Sequence, residues 1–196
     1  MAELKSSSYG KTSVRLTQLD RSNARHEVRE LNVSIFFEGD FADSYLTGSN
    51  ASVLPTDTIK NTVYVLAKQL RWSDIETFGR MLTAHFLSRI GHLRQVTVQI
   101  EQVPWERIAD SPAAFRLASA ERRTAEIVAT RPTKTIRSGL RDLQVLKTAN
   151  SSFAGFIQDE FSSLPETHVG LFGTVVSADW SFSRPDIDFN CNFTKV

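Results

Sequence analysis

Apolar residues alternate with polar ones in two segments near the beginning of the chain. Over Thr12–Leu19 and again over Leu31–Phe37 the apolar residues alternate, with Leu31, Val33, Ile35 and Phe37 on one face of the second segment. A period of two is typical of a strand that buries one face. The polar segment Asp20–His26 between them predicts a turn that joins two antiparallel strands.

The spacing then changes to a helical one. Apolar residues recur at intervals of three and four between positions 59 and 70, which predicts a helix that starts near Asp57. Ser73 and Glu76 form an S-x-x-E capping box ahead of a second apolar series. Gly91 lies where a C-terminal cap of that second helix is expected.

Strand-like alternation returns over residues 96–100 and 125–129, with Pro104–Ala120 as a long connection. The order strand, strand, helix, helix, strand, strand predicts an antiparallel sheet with both helices packed on one face. This is an α+β unit of roughly residues 9–131.

After this unit the pattern restarts. Thr135–Leu146 is expected to be a strand, Phe153–Phe161 a short helical turn and Leu171–Phe182 another strand. Because no second helix pair follows, we expect an uncovered apolar face and an unpaired sheet edge. The sequence therefore predicts a first domain over residues 1–134 and an incomplete second domain, cut short, over residues 135–196.

Composition narrows the function classes. Lys and Arg number 23 and Asp and Glu 22, so the net charge is +1, and no block of like charge favours nucleic acid or a membrane surface. Apolar runs such as Val63–Ala67 are far shorter than the roughly 20 residues that cross a bilayer. The single Cys191, together with the absence of an apolar leader, favours a reducing intracellular compartment.

No familiar cofactor motif is present in the sequence. His26, His85, His92 and His168 lie on different expected elements and have no metal-ligand spacing. Glycine-rich phosphate loops and nucleophile elbows are absent, and Cys191 has no paired motif. We therefore expect neither a metal nor an organic cofactor.

Three segments match those of a known family in order and spacing. They are Tyr9–Lys11 (YGK), Pro55–Tyr64 (PTDTIKNTVY) and Leu143–Phe156 (LQVLKTANSSFAGF), with further likeness at Arg25–Val33 and Asp159–Phe161. By these motifs the chain resembles the urate oxidase (uricase) family. The resemblance implies tandem T-fold domains, the second incomplete here, in a homotetramer whose active sites lie between subunits. It also implies oxidation of urate by O2 to 5-hydroxyisourate and hydrogen peroxide, in purine degradation, without a cofactor.

The resemblance assigns roles to four residues. Lys11 and Thr56 are the implied catalytic pair, since a lysine bonded to a threonine hydroxyl relays a proton when burial lowers the pKa of its ammonium. Thr56 and Asp57 are implied to bind substrate, Asp57 through its backbone N–H at a helix N-terminus. Phe153 is implied to stack on the purine plane. Apart from the resemblance, these residues also fit a solvated charge, a turn residue, an N-cap and a core aromatic.

Other positions depart from the family pattern. Gly170 stands where the family has an arginine that grips urate, and Arg184 is the nearby candidate to compensate. The family's Gln, Asn and His of the second domain belong to a part beyond Val196. The alternatives are a catalytically inactive T-fold subunit that binds purine or assembles, and, less favoured, another T-fold enzyme of purine or pterin chemistry.

Location is expected to be cytoplasmic, because Arg25–Val33 looks more like bacterial members of the family. The ending Thr194–Val196 is not a peroxisomal S-K-L signal. A peroxisome is the alternative in a eukaryote.

Overall fold

The structure, a computed structural model, describes residues 4–70, 74–182 and 189. Its strands are β1 (Ser7–Asp20), β2 (Glu27–Gly39), β3 (Leu93–Val103), β4 (Trp105–Arg107), β5 (Phe115–Leu117), β6 (Arg122–Ala129), β7 (Lys134–Phe153) and β8 (Thr167–Ser181). Its helices are α1 (Ala42–Leu46), α2 (Thr56–Gln69) and α3 (Ile75–Arg89). The order of strands and helices expected for the first unit is confirmed, with the short α1, β4 and β5 added to it.

Six strands form one antiparallel sheet in the order β1-β2-β3-β6-β7-β8, and β4 and β5 form a separate pair. The helices α2 and α3 cover one face of the sheet. Fully buried side chains from both layers meet there: Val33, Ile35, Val98 and Ile127 from the strands, Ile59, Val63, Phe78 and Leu82 from the helices. The predicted α+β architecture is therefore confirmed.

A bulge interrupts β1 between Lys11 and Val14. Lys11 pairs with Ile35 and Val14 with Val33, so β1 contains one residue more than β2 over this stretch. Within the bulge, Ser13 has a φ of 57°. The extra residue shifts the phase of the pleat. For this reason the alternation in the sequence predicted a strand only from Thr12, whereas β1 begins at Ser7.

The helix α3 begins differently from its prediction. Ser73 lies outside the described residues, and the N-cap is Asp74, whose Oδ1 accepts a hydrogen bond from the backbone N–H of Thr77 at 2.6 Å. Glu76 instead points into the protein, where its Oε2 accepts from Arg123 at 2.9 Å and its Oε1 from Ser138. The predicted role of Glu76 in a capping box is therefore wrong.

The expected helical turn over Phe153–Phe161 is also wrong. Phe153 ends β7 and pairs with Thr167, and no helix is present over residues 154–161. Gly155 takes a φ of 72°, which breaks a right-handed helix. The closely spaced phenylalanines that indicated a helical repeat lie instead around a turn.

The outer part of the sheet extends beyond the helices. Only Lys134–Arg141 of β7 pairs with β6, and the rest of β7 pairs with β8 alone. We call residues 143–176 the arm. Its apolar side chains include eight that are more than half exposed: Leu146, Phe153, Ile157, Phe161, Leu164, Val169, Leu171 and Val175. The sheet passes from β6 to β7 without interruption, so the domain boundary at residues 134 and 135 stays a prediction.

Candidate active site

Tyr9 fixes the chain that leads into α2. Its Oη donates a hydrogen bond to the carbonyl of Leu54 at 3.2 Å and accepts one from the backbone N–H of Leu54 at 2.8 Å. Its ring packs edge-on against Phe41 with a centroid distance of 4.7 Å. Burial raises the pKa of the Tyr9 hydroxyl, which keeps it protonated as a donor. Tyr9 therefore ties β1 to the segment directly before Thr56.

Gly10 allows the two strands to approach closely at this point. A Cβ atom at residue 10 would lie 2.0 Å from the carbonyl oxygen of Ile35, so only glycine fits. Lys11 follows at the start of the bulge. Because Lys11 pairs with the buried, helix-facing Ile35 and lies two residues after Tyr9, its side chain shares the face covered by α2. The YGK motif thus presents a half-buried lysine at one end of α2.

The N-terminus of α2 offers free hydrogen-bond donors. Pro55 precedes the helix and makes no side-chain cap, and the first intrahelical bond runs from the N–H of Ile59 to the carbonyl of Pro55 at 3.1 Å. The N–H groups of residues 56–58 therefore have no acceptor within the helix. Thr56 and Asp57 are both exposed. Such a helix end favours an anion, because its donors and its dipole act together.

Asp57 is part of a small charged cluster. Lys60 Nζ donates to its Oδ1 at 2.5 Å, and Asn61 Nδ2 donates to its Oδ2 at 2.9 Å. These contacts lower the pKa of the Asp57 carboxyl, mainly through the bond and charge of Lys60, and the charge of Lys11 adds to the effect. Lys11 is thus close enough to Asp57 for their charges to interact. Lys11 therefore lies near the N-terminal end of α2, where Thr56 and Asp57 begin the helix, and the joint role of these three residues stays a prediction.

No hydrogen bond joins Lys11 to Thr56 among the residues that the structure describes. The proton relay between Lys11 and Thr56 stays a prediction, although both residues lie at the N-terminal end of α2.

The side chains of Lys60 and Asn61 were not among the expected site residues. Their spacing of three and four residues from Asp57 on a helix was the available signal.

Phe153 lies far from this cluster within one chain. The ladder can be followed across the sheet from Lys11 through Ile35, Val98 and Ile127 to Ile136 of β7. Phe153 is about 17 residues farther along β7, which at roughly 3.3 Å per residue places it on the order of 50 Å away. One chain therefore does not bring Phe153 to Lys11, Thr56 and Asp57.

The outer end of the arm gathers the other expected substrate contacts. The ring of Phe153 stacks on Phe156 with a centroid distance of 4.7 Å and an interplanar angle of 11°. Gly170 pairs with Ser151 on the neighbouring strand, two residues from Phe153. Phe153 and Gly170 thus lie together on the arm. Arg184 and Cys191 are outside the described residues.

The residues that the structure describes contain neither a candidate metal site nor a candidate membrane span. No group of three His, Cys, Asp or Glu side chains there is arranged to hold a metal ion. No helix there is both long and apolar enough to cross a membrane.

The four strands β1, β2, β3 and β6, backed by α2 and α3, define the chain as a T-fold protein. A family model described as Uricase matches residues 7–128 and 136–196. The chain belongs to the uricase family.

Relatives of this family show the extent of the likeness. The uricase of Oryctolagus cuniculus is 34% identical over 200 residues, covering 96% of this chain and 65% of that protein. A crystal structure of the uricase from Arthrobacter globiformis matches with a TM-score of 0.86 at 35% identity, covering 100% of this chain and 68% of that one. A urate oxidase from Bacillus sp. TB-90 matches with a TM-score of 0.75 at 25% identity, covering 91% and 68%. The chain thus spans about two thirds of the length of the relatives it matches.

Proposed function

We propose that this chain takes part in the oxidation of urate by O2, as a uricase. The observation that carries the proposal is that Lys11 lies close enough to Asp57 for their charges to interact, beside the N-terminus of α2, which has no side-chain cap. Urate is an anion at neutral pH, and this place combines a lysine with free backbone donors. Membership of the uricase family supports the same substrate.

Each residue has a definite part in the proposed reaction. The N–H of Asp57 and the hydroxyl of Thr56 hold the purine edge, while Lys11 takes up and returns protons through Thr56. Phe153 supplies the face on which the purine stacks. Urate, O2 and water give 5-hydroxyisourate and hydrogen peroxide, so two electrons pass from urate to oxygen. The protein's residues bind, orient and move protons, and the electrons come from the substrate.

We further propose that the site is shared between copies of the chain. Lys11 and Phe153 lie on the order of 50 Å apart in one chain, which is far longer than any purine. The exposed apolar side chains of the arm are the kind of surface that a partner covers. A second copy would bring its own Phe153 to the Lys11 cluster of the first, in a homo-oligomer of the family's kind.

The test is oxygen-dependent loss of urate with one hydrogen peroxide formed per urate consumed. We expect turnover in the wild-type chain and its loss in Lys11→Met and in Thr56→Ala. Lys68→Met, an exposed lysine in the last turn of α2, is the matched control and should keep wild-type turnover. Turnover that survives in Lys11→Met would contradict the assignment.

The second candidate is a purine-binding or assembly subunit without oxidase activity. Gly170 favours it, because a glycine offers no guanidinium to an anionic substrate at the place where the family has arginine. A folded chain that binds urate without consuming oxygen would support this candidate over the first.

A further inference from the structure

The carboxylate of Asp57 is held on both sides by residues one turn farther along α2. Lys60 bonds to Oδ1 and Asn61 to Oδ2, so each oxygen already has a donor. Among the described residues, no hydrogen bond joins this carboxylate to the N–H groups of residues 56–58. Neither contact comes from another element of the fold.

An aspartate in the first turn of a helix has a second set of donors within reach. Such a side chain ordinarily turns back to accept hydrogen bonds from the free N–H groups, which lack intrahelical acceptors. In α2 this tendency has no competitor from Pro55, which provides no cap. A carboxylate bonded there would occupy the donors that an anionic substrate needs, and its charge would repel the substrate.

We propose that Lys60 and Asn61 are positioning residues that hold the Asp57 carboxylate away from the helix N-terminus and so keep that site open for the urate anion. The inference rests on the proposed function and adds specificity to it. Lys60 also offsets the charge of Asp57, so that the local balance beside Lys11 suits an anion. The lowered pKa of Asp57 agrees with a carboxylate held by these partners.

The experiment measures the dissociation constant of urate in the absence of oxygen, so that binding is separated from turnover. The variants are Lys60→Met, Lys60→Arg, Asp57→Asn and the double variant Asp57→Asn with Lys60→Met. Lys68→Met again serves as the matched control, since it removes the same charge from the other end of the same helix.

We expect Lys60→Met to weaken urate binding roughly two- to fivefold, the size of a single charge effect at a helix end. Lys60→Arg should restore binding, and Lys68→Met should leave it unchanged. In the Asp57→Asn background the effect of Lys60→Met should largely disappear, because no carboxylate remains to be held. Where turnover is measurable, Lys60→Met should raise KM and leave kcat near its wild-type value.

An equal loss in both backgrounds would show that Lys60 attracts urate directly, which overturns the inference and leaves the proposed function standing. The inference is also overturned, and the proposed function left standing, if Lys60→Met binds urate as tightly as Lys68→Met. A folded wild-type chain that does not bind urate at all would overturn the proposed function, and the inference with it.

Discussion

The helix-covered part of the sheet and the arm bury their apolar residues to very different degrees. Leu82 on the buried face of α3 is 0% exposed, whereas Leu146 on the arm is 71% exposed. The first region completes its core within one copy, and it carries Lys11, Thr56 and Asp57. The arm presents Phe153 on a two-stranded ribbon that is not covered by a second layer among the described residues. We infer that stability resides mainly in the first region, and the proposed assembly would use the second.

The largest effect expected from this contrast is complementation between two defective chains. Lys11→Met damages the helix-covered half of the site and Phe153→Ala the arm half, so each variant alone should lack turnover. If a two-fold pair shares its sites, a random mixture contains half mixed pairs with one intact site of two. Turnover should then recover to about a quarter of wild type. The mixture is refolded together and assayed for urate loss.

The control for this mixture is each variant refolded with itself, which should stay inactive. A mixture as inactive as its components would mean that Lys11 and Phe153 do not serve one site across two copies.

Truncating leucines in the two regions sharpens the contrast in stability. Leu82→Ala leaves a cavity in the core and should lower the free energy of unfolding by about 2–5 kcal/mol. Leu146→Ala removes an exposed side chain and should change it by less than about 0.5 kcal/mol. Urea unfolding followed by circular dichroism measures both. Similar losses would show that Leu146 is covered in solution.

Gly170→Arg tests whether the arm has lost a substrate contact. A charge-assisted contact to urate should tighten binding at least about tenfold, measured without oxygen. The new Cβ would lie 3.0 Å from Cγ2 of Thr167, which a small side-chain movement relieves. Gly173→Arg is the matched control, because its Cβ fits without crowding and it should leave affinity unchanged. Equal effects from both arginines would indicate only a general attraction of charge.

The smallest expected effect is a pH dependence of the free energy of unfolding that comes from His85 in the helix layer. Burial, assisted by the charge of Arg89, lowers the pKa of His85 on α3. The unfolded chain therefore binds a proton at a higher pH than the folded one, so stability should fall as pH drops below about 6.5. His85→Gln should reduce this slope in urea unfolding between pH 7.5 and 5.5. An unchanged slope would show that the pH dependence of stability comes from other titratable groups.

The sequence was sufficient for features that repeat locally. The helical spacing of Ile59 and Val63 located α2, and the strict alternation of β2 located its buried face, because local periodicity follows the surface each element buries. The meeting of Lys11 with Thr56 and Asp57 was expected only through the motif match, since they are remote in the sequence.

Other features could not be deduced from spacing. The phenylalanines between Phe153 and Phe161 fit a helical interval, but Gly155 turns the chain and no helix forms. The distance between Lys11 and Phe153 depends on strand register over the whole sheet, which local patterns do not contain. The contacts of Lys60 and Asn61 with Asp57 follow from helical spacing, but the absence of a side-chain cap at Pro55 does not.

The bulge between Lys11 and Val14 makes the orientation of the lysine depend on chain length rather than on side-chain chemistry. Tyr9 and Lys11 share the α2 face with Val14 and Leu16 only because one additional residue lies between the two pairs. Deleting Ser13 would restore a regular pleat, and either Lys11 or the buried valine would then have to change faces. Loss of a single codon there would therefore remove the proposed site while leaving the buried side of the sheet able to form.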